Sequence, residues 1–186
     1  TRSTGYDHID LASCAKRGVS VAYVPGYGDN TVAEFAFGLL LSLTRRLYDG
    51  IKRVKQDGSF AFTGLRGVDL KGKTLGVIGT GRIGREAIKI AKGFGLEVLA
   101  VDPHPDEELA QKLGFRYVAL PALLQSSDFV TINCPYLPET HHLINFDSIQ
   151  FIKPGAYLVN TARGGIVETA ALLQALQEGR LAGAAL

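Results

Sequence analysis

Two clusters in this 186-residue sequence carry residue types that could bind phosphate and hold a small acid. The first is Gly79-Thr80-Gly81-Arg82-Ile83-Gly84, between a strand-like run and a helical pattern. Gly79 there permits a tight turn. Gly81 lacks a Cβ, so a diphosphate can approach the backbone, and Gly84 lets the helix pack close to the strand. Unpaired N–H groups and the positive dipole end of the helix then face the phosphates. Asp102 ends the next apolar run. A carboxylate there can accept from both hydroxyls of an adenosine ribose and repels a 2′-phosphate, which favours NAD over NADP. The competing readings are a glycine turn without ligand and, for Asp102, a helix N-cap before Pro103.

The second cluster is Asn160-Thr161-Ala162-Arg163-Gly164-Gly165, after another apolar run. In an open parallel sheet, ligands sit outside the carboxyl ends of the strands. Arg163 is therefore expected on the same rim as the glycine turn and Asp102. Its guanidinium can grip a planar carboxylate with two parallel bonds and stays charged at every working pH; the competing reading is a surface Arg near a helix start. Cys134-Pro135 follows a third strand end. With no acidifying neighbour, Cys134 reads as a packing residue rather than a nucleophile. His141 and His142 read as solvated, because no Cys/His/Asp spacing supports a metal site. No metal is expected.

Positioning these residues requires short strands alternating with helices. The apolar runs Val19–Val24, Thr74–Gly79, Glu97–Asp102, Asp128–Asn133, Ala156–Asn160 and Leu181–Leu186 lack alternation, as strands covered on both faces do. Ile83, Ala87, Ile90, Ala91 and Phe94 fall on one helical face. Ala171, Leu172, Ala175 and Leu176 form another stripe, closed by Gly179. Repeated strand–helix units imply an α/β, Rossmann-like, doubly wound parallel sheet. Thr31-Val32-Ala33-Glu34 fits a capping box, so a helix is expected from Thr31. That helix is apolar on nearly every side through Leu43. Burial all round would call for a partner subunit or a missing domain; the alternative is a central core helix. Residues 49–73 read as a connector.

Composition narrows the function classes. Apolar residues make up 46% and charged residues 20% of the chain, enough for a packed core. A net charge of +2 gives no basic surplus for nucleic acid or an acidic membrane surface. Glu34, Gly38 and Ser42 interrupt the longest apolar run, so no transmembrane span is expected. The two cysteines suit a reducing cytoplasm. The sequence contains no Met and closes on an apolar, strand-like run, which reads as a segment of a longer protein or a piece made for structural study.

Together these residues resemble a known family, the D-isomer-specific 2-hydroxyacid dehydrogenases. The resemblance is carried by Ser3-Thr4-Gly5-Tyr6-Asp7-His8-Ile9-Asp10, Val32-Ala33-Glu34, the glycine turn, Asp102, Cys134-Pro135 with Pro138-Glu139-Thr140, and the Arg163 cluster, in that order. Pro25-Gly26-Tyr27 and Thr44-Arg45-Arg46 point to the D-lactate dehydrogenase branch. The resemblance implies that residues 1–28 are a remnant of a split, flavodoxin-like substrate domain. Residues 29–186 would then be a C-terminally truncated NAD domain, dimerising through the 31–48 helix. It implies backbone contacts to the diphosphate from Arg82 and Ile83. Cys134, Pro135, Thr140, Thr161, Ala162 and Arg163 would line the dinucleotide site. Arg163 would bind and orient a 2-oxo acid, with Ser3, Thr4, Gly5 and Tyr27 near its carboxylate. Family members pair this Arg with a Glu and a His placed after the last strand here, and often carry His where this chain has Asn133.

The implied function is NAD-dependent interconversion of a 2-oxo acid and a D-2-hydroxy acid, of the pyruvate/D-lactate type. The isolated chain is expected to bind NAD without turnover, since protonating the alkoxide needs a positioned acid. The alternative is a non-catalytic NAD sensor or corepressor-like scaffold on the same fold.

Overall fold

Short apolar runs bounded by Gly, Asn or Asp become strands in the computed structural model, which describes residues 5–186; Ser3 and Thr4 lie outside the described residues. The strands are β1 (Thr74–Ile78), β2 (Glu97–Val101), β3 (Arg116–Tyr117), β4 (Phe129–Ile132), β5 (Ala156–Asn160) and β6 (Leu181–Ala185). All neighbours pair in parallel in the order β3-β2-β1-β4-β5-β6. The chain steps outward from β1 to β3, then returns to β4 beside β1. A crevice opens at that reversal, at the carboxyl ends of the strands.

Helices cover both faces. The chain order is α1 (Leu11–Lys16), α2 (Asp29–Thr44), α3 (Leu47–Asp57), α4 (Arg82–Gly93), α5 (Glu107–Leu113), α6 (Leu120–Ser126) and α7 (Thr169–Gln177). Leu75 and Val77 of β1 point into one core with Ala33, Phe37 and Leu40 of α2 and Ala87, Ile88 and Ala91 of α4. Ile78 points the other way, with Leu123, Leu124, Ile132, Leu158 and Leu172. Phe37 stacks on Phe94 at 5.6 Å, locking α2 against the end of α4. Gly179 takes φ +70° just past α7, as its sequence position implied. Among the described residues, no helix is long and apolar enough to cross a membrane.

Several expectations are corrected. Residues 19–24 form no strand. Val19 and Val24 are exposed, so the β-branched run finds no covering layer. The helix expected from Thr31 begins at Asp29 instead, with the Gly28 carbonyl accepting from Val32 N–H. Glu34 accepts from the Asn30 side chain rather than reaching back to close a capping box. Nor does the helix run through 48. Thr44 Oγ1 donates to the Leu40 carbonyl, Arg46 adopts φ +52°, and the chain restarts as α3. The expected connector therefore opens with a helix. Within the described residues Ala33, Ala36, Phe37 and Leu40 of α2 turn inward, whereas Phe35 is 61% exposed, so cover for the rest of its apolar surface would have to come from elsewhere.

Ile88, fully buried between α4 and the sheet, tests this packing. Ile88→Ala should cost about 2–5 kcal/mol in urea unfolding; a loss below ~1 kcal/mol would contradict its place in the core.

Candidate functional site

The glycine turn is shaped by how closely β1, α4 and β4 approach one another. Gly79 has φ +92°, and a Cβ there would meet the backbone of Cys134 at 2.8 Å. A Cβ on Gly84 would lie 2.0 Å from the Gly79 carbonyl oxygen. The helix can therefore start against the strand end only with hydrogen at both positions. At Gly81 a Cβ would project into open space, the room a ligand would take. Gly81 is the N-cap of α4, and no side chain caps that end, which leaves the first N–H groups available to an anion.

Asp102 is built into the same turn. Its Oδ2 accepts from Thr80 N–H at 2.7 Å and Thr80 Oγ1 at 3.0 Å, and its Oδ1 accepts from His104 N–H at 3.0 Å. Burial by itself would push its carboxyl pKa up; the bonds from Thr80 and His104 outweigh burial and hold it below the usual carboxylate range. Thr80 Oγ1 also shares a 2.8 Å bond with Tyr117 hydroxyl. With the Thr80 proton directed at Asp102, Tyr117 is the donor. The N-cap reading of Asp102 does not hold: Asp106 caps α5, accepting from Leu109 N–H.

A cleft of about 500 Å³ runs along the rim. It collects Arg82 and Ile83 from α4, Cys134 and Pro135 after β4, Thr161, Ala162 and Arg163 after β5, and Gly5 from the N-terminal segment. Asp102 and the turn glycines stand beside it rather than in its wall. Thr140 does not line it: its hydroxyl donates to the Pro135 carbonyl and accepts from Leu137 N–H, bracing the loop. Tyr27 is exposed and lies outside the lining. Burial pushes the Cys134 thiol up to about 11, which suits a packing residue. Among the described residues, no group of three or more His, Cys, Asp or Glu is placed to hold a metal ion.

Among the described residues, the buried atoms Thr131 Oγ1, Asn133 Oδ1, Asn133 Nδ2 and Thr161 Oγ1 have no hydrogen-bond partner. Asn133 and Thr161 border the cleft. Buried polar groups of that kind carry a desolvation cost until a partner arrives. These orphaned atoms, the uncapped start of α4 and the anionic Asp102 together fit an adenine dinucleotide.

Arg163 is held by both backbone and side chains. Asn160 brackets its loop, donating to the Arg163 carbonyl and accepting from Ala162 N–H. Arg163 Nε and Nη2 donate to Asp7 Oδ2 and Oδ1 at 2.9 and 2.8 Å. The hydrogen bond from Arg163 lowers the Asp7 carboxyl to about 2, and Asp7 in turn raises the Arg163 pKa. Asp7 was seen in the sequence only as part of a motif, and nothing local marks it as the partner of a residue so distant. Tyr136, which no motif marks in the sequence, also lines the cleft. Its ring lies where a Cβ on Gly165 would stand, and its hydroxyl bonds His141 Nδ1 at 2.9 Å. His141 stacks on His142 at 3.8 Å. No described hydrogen bond joins Arg163 to a histidine.

Comparison with known proteins agrees with this geometry. Residues 37–186 match the family model described as D-isomer specific 2-hydroxyacid dehydrogenase, NAD binding domain. A 2-hydroxyacid dehydrogenase homolog from Zymomonas mobilis is 44% identical over 183 residues, 98% of this chain and 55% of that protein. The apo-structure of D-lactate dehydrogenase from Escherichia coli superposes with a TM-score of 0.91 at 39% identity, covering 97% of this chain and 57% of that one. D-lactate dehydrogenase from Aquifex aeolicus, complexed with NAD and lactic acid, gives 0.88 at 42% identity, covering 99% and 55%. The chain thus spans about half the length of the relatives it matches.

The Asp7–Arg163 pair makes a pH prediction. A depressed folded-state pKa contributes stability above the unfolded value of 3.8, and that contribution is lost as pH falls toward about 2. In an NMR pH titration the Asp7 carboxyl should show a midpoint near 2; a midpoint near the unfolded value would mean the pair does not form in solution.

Proposed function

The chain belongs to the D-isomer-specific 2-hydroxyacid dehydrogenases and carries their NAD-binding domain, and from that premise we propose that the complete protein interconverts a 2-oxo acid and a D-2-hydroxy acid of the pyruvate/D-lactate type. The observation that carries this reading is one cleft holding both Arg163 and the start of α4. NADH, when bound, supplies the hydride that reduces the oxo carbon.

The residues divide the remaining work. Gly79, Gly81 and Gly84 keep the backbone open to the diphosphate, and the N–H groups at Arg82 and Ile83 bind it. Asp102, anionic at neutral pH, accepts from the ribose hydroxyls. Cys134, Pro135, Thr161 and Ala162 wall the dinucleotide. Arg163 neutralises the carboxylate of the oxo acid and orients its carbonyl, with Gly5 beside it. Protonating the developing alkoxide calls for a positioned acid. No described histidine lines the cleft, so we expect the 186-residue chain alone to bind NAD(H) without turnover.

We further assign residues 1–28 to the substrate domain and 29–186 to the NAD domain. The proposed assembly is a homodimer through α2 and α3. Phe35 of α2 and Tyr48, Ile51 and Val54 of α3 are exposed, and clustered exposed apolar groups mark contact surfaces. The free thiols Cys14 and Cys134 suit a cytoplasmic protein.

In steady-state assays the complete protein should oxidise NADH with pyruvate and yield the D-product. Arg163→Gln should lower kcat/KM by about a hundredfold or more. Asp102→Ala should weaken NADH binding by roughly ten- to a hundredfold, the worth of hydrogen bonds to a charged acceptor. An L-product, an undiminished Arg163→Gln variant, or turnover by the isolated chain would each contradict the corresponding part.

A further inference from the structure

A guanidinium offers five N–H donors. In Arg163 three are engaged: Nε and one on Nη2 by the two oxygens of Asp7, and one on Nη1 by the Ala162 carbonyl at 2.9 Å. One N–H on each terminal nitrogen is left for a second, incoming carboxylate. Gly5 completes the arrangement. A Cβ at residue 5 would lie 2.0 Å from Arg163 Nη2 and 2.8 Å from Asp7 Oδ1, so the guanidinium occupies space that only a glycine vacates.

We propose that Asp7 is a positioning residue for the oxo-acid reaction: with Gly5, it fixes the Arg163 guanidinium so that the two remaining N–H groups face the cleft as a preformed carboxylate anchor. This rests on the function proposed above and deepens it. An unheld Arg side chain would have to lose several rotamers each time an acid bound; held at its Nε edge, it has already lost them. Asp7 also brings a negative charge near an anionic substrate. Its side chain is 42% exposed, so water screens that charge, whereas the two hydrogen bonds fix direction whatever the screening. Orientation therefore outweighs repulsion, and removing Asp7 weakens substrate binding.

The test uses the complete protein, with Asp7→Asn, Asp7→Ala and Gly5→Ala compared with wild type. KM for pyruvate should rise about tenfold in Asp7→Asn, which keeps one acceptor, and further in Asp7→Ala. The fall in kcat should be smaller. Gly5→Ala should show the same signature, because its methyl displaces Nη2. Oxamate, a non-reducible isostere of the oxo acid, should lose affinity for the NADH complex by the same factor. NADH affinity should stay at the wild-type value, and the thermal midpoint should fall by no more than the small contribution of one exposed ion pair. Unchanged KM in Asp7→Ala overturns the inference, and so does a lowered KM, which would make Asp7 a competitor for Arg163. A KM rise that tracks lost NADH affinity, or a thermal midpoint lowered well beyond the worth of one exposed ion pair, overturns it as well, since that reports a general structural role. A wild type inert to all 2-oxo acids would sink the functional reading first and this inference with it; an active wild type with an indifferent Asp7 would sink this inference alone.

Discussion

The carbonyl oxygen of Gly79 occupies the space that a side chain at residue 84 would need. That contact draws the start of α4 against the end of β1, and the rest of the rim follows from it. With the helix so close, its first N–H groups open onto the crevice where the strand order reverses between β1 and β4. Cys134 is drawn in from the other side, near enough to exclude a side chain from Gly79 as well. Three backbones thus meet at one place, and the uncapped start of a helix is delivered there with Arg82 in its first turn.

Charge is distributed around this meeting point with its partners already in place. Asp102 is tied through Thr80 to the turn itself, and Tyr117 supports Thr80 from β3. The acid and the phosphate-facing turn are therefore one rigid unit spanning β1 to β3. At the other end, Arg163 is gripped by Asp7 and by its own loop. Between these poles lie buried polar atoms of Asn133 and Thr161 that have no hydrogen-bond partner among the described residues. A surface that leaves such groups unpaired is built to be completed by a ligand.

Features written in local chemistry could be read from the sequence. The glycine turn announces itself because each glycine has a separate steric reason within six residues. Asp102 and Arg163 were legible because parallel strands place their carboxyl ends on a common rim. Features decided at long range were hidden. Asp7 meets Arg163 only after the whole sheet has formed. Residues 19–24 had strand-forming side chains but no neighbouring strand. The α2 helix begins two residues before Thr31, at Asp29, and α3 buries none of its residues, so its apolar side chains gave no core-facing signal.

The most direct test of the account is a crystal structure of the protein with NAD+ bound. The account places the diphosphate against residues 79–84, the adenosine ribose on the carboxylate of Asp102, and the nicotinamide in the cleft that holds Arg163. A dinucleotide bound elsewhere, or one whose ribose hydroxyls turn away from Asp102, would contradict it.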